Sequence, residues 1–247
     1  MIISICIPNM NRTYDLKQTL PKTIQAINNS PPAEIVVLDY DSKDDLEEYI
    51  KTTKDTVFLE EGNTLLYTKS PNHPYFSISH SRNLAALASH GEYIIILDAD
   101  ISPHEDFINY IRELIEKENP IWMCEKGLTI EGFTAGRIPV VKRDEFISAG
   151  GYDERFNVCG PEDKDICMRL HRRGGKFIAF PHSLTDEIYT PRKEKIRNLN
   201  LELYKDELPK GKGWTKLVMS RTMRKIYEEN NANKALVANE GKEWGKW

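Results

Sequence analysis

Asp98 and Asp100 flank Ala99 directly after the apolar run Tyr93-Ile94-Ile95-Ile96-Leu97. Two carboxylates at the exit of a buried strand can share a divalent cation, and hard oxygen donors suit Mg²⁺ or Mn²⁺. Such an ion would bridge the phosphates of a nucleotide diphosphate and neutralise a leaving group. The same triplet serves equally as a turn whose aspartates cap the next helix. A second acidic group, Glu162-Asp163-Lys164-Asp165, follows Gly160-Pro161. One of its carboxylates can act as general base for an acceptor hydroxyl. A helix N-terminus, which favours negative charge, also accounts for them.

Asp39 and Asp41 stand at the end of the apolar run 34–38. A carboxylate there accepts a base N–H or a ribose hydroxyl, or caps the following helix. Asn9, Asn11 and Arg12 follow Pro8 in a polar loop, where they can position base or phosphate. Arg82 can face either group, although an exposed helix arginine is the commoner arrangement. His182 comes just after the apolar stretch 176–180 and offers an imidazole to a metal. Cys159 and Cys167 have no histidine placed for thiol catalysis. The sequence holds neither a Walker phosphate loop nor Gly-x-Gly-x-x-Gly between strand and helix, which excludes kinase and dinucleotide-oxidoreductase readings on those motifs.

These groups need rigid elements to hold them. Residues 2–7 read as a buried strand stopping at Pro8. A helix is expected over 15–28 with Leu16, Leu20, Ile24 and Ile27 on one face, or else starting at Pro21, since proline suits a first turn. Strands are expected at 34–39, 56–60, 64–68 and 93–97, with helices at 79–90 and 105–118. Strand and helix alternate, an α/β pattern with a mostly parallel sheet. Ligands collect at the carboxyl ends of such strands, where Asn9, Asp39 and Asp98 all fall. Further on, 138–142 reads as a strand, 143–149 as a short helix, 162–173 as a helix stopped by Gly174-Gly175, and 176–180 as a strand. Arg169, Arg172 and Arg173 make a basic helix end, favourable to its dipole first and to phosphate or anionic lipid second.

Of 247 residues, 38 are Asp or Glu and 34 Lys or Arg, for a net charge of −4; this weighs against a nucleic-acid partner. The N-terminus lacks the basic and apolar regions of a signal peptide, and no apolar run reaches membrane-spanning length. The four cysteines show no zinc spacing, so reduced thiols in the cytoplasm are expected. Lys210-Gly211-Lys212-Gly213 reads as a flexible break. Trp214, Trp244 and Trp247 beyond it offer aromatic groups to a membrane interface, as a peripheral contact.

Taken together, Ile5 to Arg12, Glu34 to Asp44, Ser81-Arg82-Asn83 and Gly91 to Asp100 resemble the family 2 glycosyltransferases of the GT-A fold. Gly150 to Phe156, Gly160 to Asp165 and Arg169-Leu170 resemble its galactosyltransferase-like members. Tyr40, Asp41, Pro161 and Lys164 depart from the usual pattern. The resemblance implies a GT-A domain over 1–191, with a nucleotide-binding half at about 1–102, an acceptor half at about 103–191, and a helical extension at 192–247. It implies Asp163 as catalytic base, with Glu162 and Asp165 contacting the acceptor. Pro8, Asn9, Asn11, Arg12, Asp39, Asp41, Arg82, Asp98 and Ala99 would bind the nucleotide-sugar. Asp98, Asp100 and His182 would hold Mn²⁺, or Mg²⁺ in its place, with Asp100 the direct ligand of the aspartate pair. The implied activity is inverting transfer of a hexose or N-acetylhexosamine, galactose type favoured, from a UDP-sugar to a glycan or glycoconjugate in polysaccharide biosynthesis. A retaining N-acetylgalactosaminyltransferase-like enzyme and a non-catalytic nucleotide-sugar binding module are the alternatives.

Overall fold

Seven consecutive buried residues make β1 (Ile3–Asn9), and seven more make β2 (Ala33–Asp39). Strands buried on both faces need cover above and below. Between them runs α1 (Thr13–Asn28), and after them come α2 (Leu46–Thr56), β3 (Thr64–Lys69), α3 (Ile78–Leu87) and β4 (Tyr93–Ile96). The computed structural model describes residues 1–126, 128–130, 133–135, 138–158, 160–200, 202–203 and 221–247. Cys159, the 210–213 break and Trp214 lie outside the described residues.

The chain continues through β5 (Ile101–Pro103), α4 (Phe107–Glu118), β6 (Trp122–Glu125), β7 (Leu128–Ile130), β8 (Phe133–Ala135), β9 (Val140–Lys142) and α5 (Arg143–Ser148). It ends with α6 (Glu162–Arg172), β10 (Phe177–Phe180), β11 (Thr185–Glu187), α7 (Arg192–Ile196) and α8 (Arg221–Ala232). The main sheet has seven strands in the order β10-β6-β9-β4-β1-β2-β3. Its β4-β1-β2-β3 half is parallel throughout. β9 runs antiparallel to both β4 and β6, and β6 pairs parallel with β10. This is the mixed, mostly parallel α/β architecture the alternation predicts.

Side chains alternate across the sheet with the period of a strand. Ile3, Ile5, Ile35, Val37 and Ile95 face α1 and α4, against Leu16, Leu20, Phe107 and Ile111. Cys6, Leu38, Ile94 and Ile96 face the other way, against Leu84 of α3, Phe146 of α5, and Ile166 and Leu170 of α6. A smaller cluster joins Phe156 and Val158 to Leu199, Met223 and Ile226. Trp244 packs against Phe146 with ring centroids 6.4 Å apart, so this tryptophan turns inward. Among the described residues no helix is long and apolar enough to cross a membrane.

Three local expectations change. α1 begins at Thr13 and runs through Pro21. The carbonyl that Pro21 cannot bond belongs to Lys17, and both residues are exposed, so water can serve it. β1 continues past Pro8 because its pairing with β4 ends at Cys6, leaving Pro8 and Asn9 paired only with β2. The strand expected at 56–60 is absent, because α2 runs to Thr56 and 57–60 form no regular structure.

Candidate active site

Arg82 is the hub of the site. It sits on α3 with 4% of its side chain exposed. Nη2 donates to Asp98 Oδ1 at 2.9 Å, and Nη1 donates to Asp163 Oδ1 at 2.9 Å and Glu162 Oε1 at 3.2 Å. One guanidinium therefore ties the end of β4 to the start of α6. The Tyr152 hydroxyl also donates to Asp163 Oδ1, at 2.9 Å, and the Arg82 guanidinium lies 5.3 Å from the centre of the Tyr152 ring. Asn83, the next residue on α3, fixes Tyr152 by bonding both its backbone N–H and its carbonyl. The turn before Tyr152 must be glycine: Gly151 has φ +63, and a Cβ there would stand 2.5 Å from Asn83 Oδ1.

Three carboxylates around one buried cation leave an excess of negative charge. Burial, then the charge of Asp163, pushes Glu162 up to about 8, against the opposing pull of Arg82. Glu162 therefore holds its proton more tightly than an ordinary carboxyl in spite of its contact with Arg82. A raised carboxyl keeps its proton in the fold after the unfolded chain, with its ordinary value of 4.5, has lost its own. Stability from this group is complete below that value and falls as pH rises towards about 8. The melting temperature should fall between pH 5 and 8, and less so in Glu162→Gln; equal slopes in the two proteins would count against this assignment.

The acidic residues of α6 separate by direction. Asp165 accepts from Arg169 Nε and Asn230 Nδ2, both at 2.8 Å, inside the protein. Glu162 accepts the Gly160 N–H at Oε2, at 2.7 Å, and Arg82 Nη1 at Oε1. Both side chains thus place these oxygens in bonds within the protein. Asp163 keeps 26% of its side chain exposed. Arg169 donates to the carbonyls of Ala149 and Gly151, and Arg173 bonds Glu145 and Ser148, so these arginines brace the turn rather than face phosphate or lipid.

Pro8, Arg12, Asp98, Ala99 and Asp100 line one cavity of about 250 Å³, together with Met10, Phe76, Ile78, Ile101, Glu187, Asn198 and Leu199. Arg12 Nη2 reaches Asp100 Oδ2 and Thr190 Oγ1, each at 3.2 Å, and its Nε bonds Asp15. Asp39, one strand over, accepts from Ser42 N–H and from the Tyr67 hydroxyl, each at 2.6 Å. Asp41 accepts from Lys43 Nζ and the His73 N–H. Asn9 uses its Oδ1 for the Arg12 N–H, while its buried Nδ2 has no partner among the described residues. Tyr67, Tyr152 and Asn198 were not singled out from sequence. Strand pairing alone marks Tyr67, since β3 runs beside Asp39.

Asp98 and Asp100 are oxygen donors on the wall of one cavity, which suits a hard divalent ion. Asp98 is half exposed and can turn from Arg82 towards such an ion. His182 does not join them. Its Nδ1 lies 2.7 Å from Oε1 of Glu125, the last residue of β6. β11 then runs antiparallel to β5, with Thr185 opposite Pro103 and Glu187 opposite Ile101, and the Ile188 N–H bonds the Asp100 carbonyl. His182 therefore lies at the far end of this ladder from Asp100. Among the described residues no three His, Cys, Asp or Glu side chains gather to hold a metal, and the aspartate pair lines the cavity without His182.

Residues 4–160 match the family model described as glycosyl transferase family 2. No curated protein matches the chain. Among solved structures, S. aureus TarS 1-349 matches with TM-score 0.58 and 13% identity, over 73% of this chain and 58% of that one. TarS 1-349 in complex with UDP-GlcNAc gives 0.59 at 12% identity, over 80% and 64%. The mannosyltransferase PcManGT from Pyrobaculum calidifontis, in complex with GDP-Man and Mn²⁺, gives 0.61 at 17% identity, over 77% and 57%. The chain thus spans a little over half the length of these structures, and at such identities the likeness is one of fold.

Proposed function

The chain belongs to glycosyl transferase family 2, and from that footing we propose that it moves a hexose or N-acetylhexosamine, of galactose type, from a UDP-sugar to a hydroxyl of a glycan or glycoconjugate. The observation that supports this reading is the Arg82 bridge, which joins Asp98, on the wall of the cavity, to Asp163 at the start of α6; we assign Asp98 to the donor side and Asp163 to the acceptor side. Asp163 takes the proton of the acceptor hydroxyl. The freed oxygen pair forms a bond to the anomeric carbon as the opposite bond, to the phosphate oxygen, breaks with inversion. Its electron pair leaves on UDP. Arg82 and Tyr152 hold Asp163 Oδ1 in place, so the carboxylate does not swing away from the hydroxyl. Arg12 brings positive charge to the cavity wall beside Asp100, where a diphosphate would lie. Asp39 and Asp41, at the end of β2, serve base or ribose. A Mn²⁺ or Mg²⁺ ion held by Asp98 and Asp100 would supply charge to the departing diphosphate.

We place the activity in cytoplasmic polysaccharide assembly, following the sequence resemblance. A panel of UDP- and GDP-sugars with Mn²⁺ and glycan acceptors tests the reading through nucleotide release. UDP set free from UDP-galactose or UDP-N-acetylgalactosamine, only with acceptor present, supports it. UDP binding without turnover on any sugar would make the chain a binding module instead. Product anomeric configuration by NMR decides between inversion and retention.

A further inference from the structure

Just past α7 the chain crosses back over the loop at the carboxyl end of β1. Asn198 Nδ2 donates to the Met10 carbonyl at 2.6 Å, and its Oδ1 accepts from Asn11 Nδ2 at 2.9 Å. Its own carbonyl accepts the Phe76 N–H at 2.7 Å, and Arg197 Nη2 donates to the Asn11 carbonyl at 2.7 Å. The Asn11 amide is not free to flip: its Oδ1 is held by the Lys43 N–H at 2.6 Å, which leaves Nδ2 as the group turned towards Asn198. Met10 and Asn11 thus present an acceptor beside a donor. That pair reads a primary amide, and it reads equally the N–H/C=O edge of a pyrimidine-dione base. Met10 and Asn198 both line the cavity that ends at Asp98 and Asp100.

Resting on the nucleotide-sugar reading above, we propose that Asn198 occupies the base-reading edge of the donor site, so that the Arg197-Asn198 strap is a latch the nucleotide must displace. The latch keeps part of the population closed, and a ligand's apparent affinity falls by that fraction.

UDP is the probe, with the full chain. Asn198→Ala removes two neutral hydrogen bonds, so UDP should bind about three- to tenfold more tightly, with the gain in the association rate. Unchanged or weaker binding overturns the latch and marks Asn198 as a plain wall of the pocket. The second measurement uses the unaltered protein: saturating UDP should speed hydrogen exchange at the Phe76 amide, which the strap protects. Slower or unchanged exchange there also overturns it. UDP binding to neither protein removes the nucleotide reading itself, whereas tight binding to both without a gain removes the latch alone.

Discussion

Asp163→Asn is expected to lower turnover by about 10²- to 10⁴-fold, the range a positioned general base contributes. The amide keeps the size of the side chain and its Oδ1 contacts with Arg82 and Tyr152, but it cannot take a proton. UDP affinity should persist, because Asp163 is not among the residues lining the cavity that Arg12, Asp98 and Asp100 share. Steady-state kinetics beside nucleotide binding by calorimetry reads both quantities. Turnover within a factor of about three of the parent would remove Asp163 from the base role, since that lies far below the contribution expected of a base. The same experiment in Asp165→Asn reads differently: that residue braces Arg169 and Asn230, so stability should fall before any property of the chemistry.

Arg82→Met should be the most destabilising single change in the site. It strands Asp98, Glu162 and Asp163 around an apolar chain, with Glu162 5% exposed. Removing one partner of a buried charge network costs about 3–5 kcal/mol. For a chain of this length the melting temperature would drop on the order of 10 °C. Protonation of Glu162 would relieve part of the strain at low pH, so the loss should be larger at pH 8 than at pH 5. Adding Glu162→Gln to Arg82→Met should restore part of the melting temperature at pH 8, where an amide stays neutral and the carboxyl is losing its proton. A double variant no more stable than the single one would show that packing rather than charge sets the cost.

Several features are readable in the sequence because they depend on neighbours only a few residues away. The apolar run before Asp98 marks a strand end, and Ile166 and Leu170 mark the buried face of α6. Helix period does not sort the acidic residues of α6: Asp163 falls within about 40° of the Ile166–Leu170 face yet keeps 26% of its side chain exposed, whereas Asp165, about 120° away, is buried against Arg169. Trp244 and Asn198 carry no such local signal. Their partners Phe146 and Asn11 lie far off in sequence, and only chain folding brings them into contact.

The sequence by itself determined the α/β order, the Asp98-Ala99-Asp100 strand end and an acidic helix start at Glu162, because strand alternation, helix period and turn chemistry are short-range. The tertiary structure decided what those carboxylates face. It buried Arg82 between Asp98 and Asp163, residues that α3, β4 and α6 bring together across the sheet. It also separated His182 from Asp100, because strand order puts β6 and β9 between β10 and β4, and the β5–β11 register runs away from the aspartates. Strand order and register are set by non-local packing, which no spacing within the chain can report.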